Sequence, residues 1–208
     1  MDGLPKLSLP SGYDRAYAQS YELAFDRLSQ SDLLQLGQRS GASLGPDSTL
    51  KLSFLNIPVI ADIKRRTVES PEHSLSVSDK LIILHYLITA GGRTPTGKLI
   101  SFKDLPGGAS YFPTFYKRAI APIITMFGNS VRNMPTAAVA LGGSSTALGD
   151  SGISITVLPH VKLNWVLWQG DGVLPPEGSI LFDSNIADYL PVEDIAVLCH
   201  SIAIRLCA

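Results

Sequence analysis

Four histidines and two cysteines are the side chains of this 208-residue chain best suited to holding a metal or moving a proton near neutral pH. His85 lies inside a strongly apolar helical run and reads as a core or edge residue. His200 sits beside Cys199 in the last helical run, and adjacent helix positions do not share a face. His73 falls in the polar stretch ESPEHS and reads as solvated. His160 follows Pro159 between two strand-like runs, a turn from which an imidazole reaches a ligand, and it is the first choice for a metal ligand. No H-x-x-x-H and no paired His/Cys spacing supports a structural zinc site. Cys199 and Cys207 are eight positions apart, roughly 12 Å along a helix, too far for a disulfide. Two cysteines are also too few for an iron–sulfur cluster held in the usual way.

Nucleophile and carboxylate signatures are weaker still. G-x-S-x-G is absent. LGGSSTALGDSG (141–152) lacks the Lys-Ser/Thr that completes a phosphate loop, and it reads as a mobile Gly/Ser turn leading into a strand. Asp171 and Asp183 end neighbouring strand-like runs and would face one mouth. Aspartates at strand ends are more often turn formers that bind nearby backbone N–H groups. No enzymatic reading stands above the others.

The aromatics are denser. Phe102, Tyr111, Phe112, Phe115 and Tyr116 surround the Pro106-Gly107-Gly108 turn, and Trp165, Trp168 and Phe182 lie in LNWVLWQGDGVLPPEGSILFD. Trp165 and Trp168 are three apart, so in a strand they face opposite sides and only one reaches the core. The other needs a cover: a helix, a partner chain or a flat ligand. Core packing competes with an apolar pocket carrying a few polar orienting groups.

The elements that position these residues follow from periodicity. Residues 13–41 read as two helices, the second restarting at Ser31-Asp32 and ending at Gly41. From Thr49 the pattern alternates as a strand or hairpin. A helix capped by Ser76 or Ser78 follows, then a short strand in TGKLISF. YFPTFYKRAIAPIITMFG is helical, with Pro122 set to kink or divide it. A short helix starts near Pro135. SGISITVLP, VKLNWVLWQG and SILFD form an antiparallel meander, and LPVEDIAVLCHSIAIRL closes the chain as a helix. Strands and helices never alternate as βαβ units, so residues 1–208 read as a single α+β domain with an antiparallel sheet (the late meander plus the earlier hairpin) packed against helices.

Composition narrows the partners. Charged residues make up 17% and hydrophobic residues 45%, with a net charge of −1, so a core forms and no basic footprint marks nucleic acid. The start MDGLPKLSLPSG lacks the pattern of a secretory signal, and no apolar run approaches the ~20 residues of a membrane span. A cytoplasmic protein is expected.

The order SFKDLPGGASY…F…R…P…FG, LGGSSTALGDSGISITVLP and LNWVLWQGDGVLPPEGSILFDSNIADYLPVEDIAVL resembles a family of anaerobic bacteria and archaea catalogued as a domain of unknown function, many of whose members carry an iron–sulfur label. The resemblance spans about residues 14–205, with LWQGD…PP…SILFD…YLP-x-ED its most specific part. It implies an association with corrinoid-dependent one-carbon or dehalogenation metabolism and a tetrapyrrole-binding role, cobalamin foremost. The iron–sulfur label fits relatives with an extra cysteine-rich segment, which this chain lacks; no cluster is expected here. A corrin or porphyrin disc would lie between residues 102–118 and 160–183. Phe102, Tyr111, Phe112, Phe115, Tyr116, Trp165 and Trp168 would flank it, and Arg118, Ser144, Ser145, Asn164 and Asp171 would meet its rim. His160 would be the axial ligand, unless the metal takes none from the protein. The alternative is an assembly module, dimeric or docked on a corrinoid, redox or methyltransferase partner, with no ligand of its own.

Overall fold

Asp32 and Gly41 show how locally the helical region is specified. Asp32 Oδ1 accepts hydrogen bonds from the N–H groups of Leu34 and Gln35, capping α2 (Leu33–Ser40), and Gly41 ends it at φ 71°. Before it runs α1 (Tyr13–Ser29), whose Ala24, Phe25 and Leu28 are buried. The computed structural model describes residues 13–171 and 173–208. The opening twelve residues, read above as lacking a signal, lie outside the described residues.

Leu50, Leu52 and Phe54 alternate with Lys51 and Ser53 in β2 (Thr49–Phe54), so one face is buried. It forms a four-stranded antiparallel sheet with β1 (Ser43–Gly45), β3 (Ile57–Asp62) and β4 (Thr67–Glu69), in sequence order. Leu55 and Asn56, at φ 50° and 63°, make the two-residue turn between β2 and β3.

A Ser76–Asp79 capping box opens α3 (Val77–Thr89). Its buried residues Leu81, Ile82, Ile83, Leu84, Tyr86 and Leu87 lie on more than one side, as expected of a central helix. Tyr86 Oη donates to the Ser40 carbonyl at 2.6 Å and accepts from the His160 N–H at 3.2 Å.

The late strands build a second sheet, in the order β5 (Leu99–Ser101), β9 (Glu177–Asp183), β8 (Val161–Trp168), β7 (Ser151–Leu158), β6 (Ser144–Thr146), all antiparallel. The Gly/Ser stretch expected to be mobile is thus a hairpin, its strand β6 paired with Gly152–Ser154. Ile153, Ile155, Leu163, Trp165, Ile180 and Phe182 fill the inner face. A long helix crosses that face: α4 (Gly108–Phe115), a five-residue π turn (Tyr116–Ile120) and α5 (Ala121–Phe127). Ile124 of α5 sits against Gly178, where a Cβ would come within 3.0 Å. The chain continues through α6 (Met134–Val139) and closes with α7 (Val192–Leu206), which packs on the π turn and on α3. One buried apolar cluster runs from α1 through both sheets to α7, and the class is α+β. The Leu55 N–H donates to the Val157 carbonyl, joining the two sheets. Among the described residues no helix is long and apolar enough to cross a membrane.

Candidate functional site: a groove at the π turn beside His200

The residues singled out in the sequence divide into two groups. Phe102, Phe115 and Trp165 are core: Phe102 and Phe115 stack with ring centres 3.9 Å apart, and Trp165 faces inward on β8. A flat ring between the aromatic helix and the hairpin would have to part this packing. Tyr111, Tyr116 and Trp168 remain exposed, and Phe112 is half-buried with Lys103 Nζ 4.2 Å from its ring centre. The two tryptophans therefore face opposite sides, as their spacing requires.

Register places the polar candidates. Ser144, Ser154, Asn164, Leu181 and Ser101 form one row across the outer face of the second sheet, the face that also carries Trp168. Asn164 Nδ2 donates to the Leu181 carbonyl at 3.2 Å and is nearly buried. Ser145 pairs with Ile153 and belongs to the opposite face.

His160 and Trp168 lie at opposite ends of β8, eight positions or roughly 26 Å apart, and do not share a site. The His160 ring rests 5.4 Å from that of Tyr189, with Nε2 against Gly41, where a Cβ would come within 3.1 Å. Asp171 and Asp183 are separated too. The expectation of one mouth fails because β8 and β9 are antiparallel: Trp168 pairs with Glu177, so Asp171 lies beyond one edge and Asp183 at the other. Each carboxylate is a turn former. Asp171 Oδ1 accepts from the N–H groups of Leu174 and Val173, which hold its carboxyl below the usual range. Burial works against ionisation of Asp183, but hydrogen bonds from Thr96 Oγ1, the Asn185 N–H and the Gly97 N–H outweigh it and lower its carboxyl as well.

The one predicted residue that lines a sizeable described groove is Arg118. With Pro113, Thr114, Lys117, Pro122 and His200 it bounds an open groove of about 530 Å³ between α7 and the π turn. A neighbouring hollow of about 480 Å³ shares Lys117 and Pro122 and continues past Met126 to Cys207. The local sequence explains this shape. Pro122 has no N–H to offer the Arg118 carbonyl one turn earlier, and the helix widens, the Ala121 N–H reaching Tyr116 five residues back. The Arg118 carbonyl accepts instead from His200 Nδ1 at 2.9 Å. A carbonyl only accepts, so Nδ1 carries the proton and Nε2 of the neutral ring keeps its lone pair. Metal-binding histidines are commonly tied in this way. Cys199, one position earlier, is buried and its thiol is pushed upward by desolvation, far from a reactive thiolate.

Two further polar links escape sequence reading because nothing in the spacing signals them. His85 Nδ1 and Asp194 Oδ2 are 2.6 Å apart, joining α3 to α7. Asp79 Oδ2 accepts from Arg205 at 2.7 Å, both side chains almost fully buried. His200 had a fainter signal: a proline inside a helical pattern frees a carbonyl for a donor from a packed neighbour.

Among the described residues no group of three or more His, Cys, Asp or Glu side chains is placed to hold a metal ion alone. A tetrapyrrole supplies its own equatorial nitrogens and leaves two axial positions, so a single protein donor is enough to ligate its metal. His200 fits that role, and Lys117, Arg118 and Thr114 fit a carboxylate, amide or phosphate rim.

An α+β chain of two antiparallel sheets, with an open cationic groove on its helical side, is what the fold and site define. The chain belongs to the DUF3786 family, a domain of unknown function, whose family model matches residues 32–205; α1 precedes the matched segment. No curated protein and no solved structure matches it.

Proposed function

We propose that this protein binds a metal-containing tetrapyrrole, a corrinoid such as cobalamin first among them, in the groove between α7 and the π turn, for carriage, storage or delivery. The supporting observation is the tethered imidazole: His200 is half-exposed, lines the groove, and has its Nδ1–H spent on the Arg118 carbonyl. Lys117 and Arg118 beside it suit the anionic groups that such ligands carry, and the Pro113 and Pro122 rings offer apolar support to a disc. This moves the expected axial role from His160 to His200. The bound group would supply the metal chemistry; the protein's part is to hold and orient it. Titration of the purified chain with aquacobalamin, then haem, is expected to give a saturable shift in the ligand absorbance. An unchanged spectrum with both ligands contradicts the proposal.

A second reading, docking on a protein partner, is favoured by one feature. Val173 is 87% and Leu174 68% exposed at the tip of a hairpin whose preceding strand ends in the exposed Trp168. Hydrogen bonds to Asp171 Oδ1 order this turn.

A further inference from the structure

A second cavity, of about 270 Å³, lies between α1, α3 and α7 on another part of the molecule. Leu81 and Ile82 of α3 and Val197 of α7 give it apolar walls, and Tyr17 and Ser20 of α1 and Ser78 of α3 complete its described lining. The groove residues Lys117, Arg118 and His200 take no part in it. Asp194 is the one acidic side chain among its described lining residues, and its partner His85 is not among them. Asp194 reaches the cavity, and no Lys or Arg is among the described residues that line it. Asp194 is held in place by His85, whose Nδ1 lies 2.6 Å from Oδ2. A carboxylate offers about four acceptor positions, and this bond uses one of them.

We propose that this cavity is a binding site for a small apolar amine, its hydrocarbon part against Leu81, Ile82 and Val197 and its ammonium group on the Asp194 carboxylate. The volume falls below the ~300–1,000 Å³ typical of pockets for drug-sized ligands, which limits the occupant to about one ring or a short chain. A partly desolvated carboxylate gains a charge-assisted hydrogen bond from an ammonium and gains much less from a neutral group of equal size. The apolar walls select against a bare inorganic cation, which would give up its water for hydrocarbon.

Calorimetric titration of the full chain with benzylamine, and with benzyl alcohol as the neutral match, tests this directly. Benzylamine saturates the native chain and the His200→Ala variant alike, and binds more tightly than benzyl alcohol. Asp194→Asn weakens benzylamine at least about tenfold and leaves benzyl alcohol nearly unchanged. Val197 is 36% exposed, so Val197→Trp leaves the core intact while filling the mouth, and it abolishes binding of both. Equal affinity for the two probes, binding that survives Val197→Trp, or no saturation with benzylamine overturns the assignment. The His200→Ala arm keeps this result separate from that of the tetrapyrrole groove.

Discussion

Asp79 and Arg205 surrender nearly all their solvent on folding, and each depends on the other: the Asp79 side chain is 1% and that of Arg205 7% exposed. Ser76 adds its N–H and hydroxyl to the same carboxylate oxygen, and Ser201 takes a hydrogen bond from Arg205. Removing one partner strands a buried charge, so Asp79→Ala should lose about 3–5 kcal/mol in urea unfolding. The paired replacement Asp79→Leu with Arg205→Met should recover much of that loss; a single-variant loss under about 1 kcal/mol would show the pair to be unimportant. Asp183 makes a prediction about pH. Its folded carboxyl titrates below the unfolded value of about 3.9, so its stabilisation is fully present above that pH and fades as pH falls through the folded value. The stability gap between native chain and Asp183→Asn should therefore hold steady from about pH 7 to 5 and shrink below about pH 4. A gap that widens on acidification would refute the role given to Thr96 and Gly97. At this scale the sequence was legible only where partners are close in the chain. The Ser76 cap can be read from the residues themselves. The 126-residue separation of Asp79 from Arg205 carries no local signal.

At the scale of the element, the helices and the long strands follow their patterns closely. Asp32, Gly41 and Ser76 mark helix ends by capping chemistry, the alternation through β2 gives that strand, and turn signals set off the β-type runs that become β7 and β8. The three-residue strands β1, β4 and β6 are too short to show any period, which is why one hairpin was expected where a four-stranded sheet stands. Pro122 was expected to kink or divide its helix. The helix absorbs it with a π turn, because α7 packs alongside and His200 supplies the hydrogen bond that the proline cannot. Pro122→Ala gives the Arg118 carbonyl a donor within its own helix and should release His200. Nitrogen-15 spectra of the imidazole should then lose the fixed Nδ1–H pattern, and cobalamin affinity should fall about tenfold with the fold intact. An unaltered His200 tautomer in Pro122→Ala would separate the π turn from the site.

Across the whole molecule, antiparallel connection decides which residues meet. Reading strand ends as neighbours put Asp171 with Asp183, and the reversal from β8 to β9 sends them to opposite ends of the sheet; His160 and Trp168 are parted by the length of β8 itself. Aromatic density proved a guide to the core, since Phe102, Phe115 and Trp165 are among its largest members. Arg118 alone among the residues chosen from sequence lines the groove, and it does so with its side chain beside the groove and its carbonyl on His200. The helical side thus holds both proposed sites, one on either part of α7, while the other face of the second sheet carries a polar row of Ser144, Ser154, Asn164 and Ser101, in which Asn164 is buried. The most direct test of the groove is aquacobalamin titration of His200→Ala and His160→Ala side by side with the native chain. Binding through the groove requires that His160→Ala reproduce the native spectral shift and that His200→Ala lose it. Loss in His160→Ala alone, or the same shift in all three proteins, would contradict the assignment of His200 as the axial group.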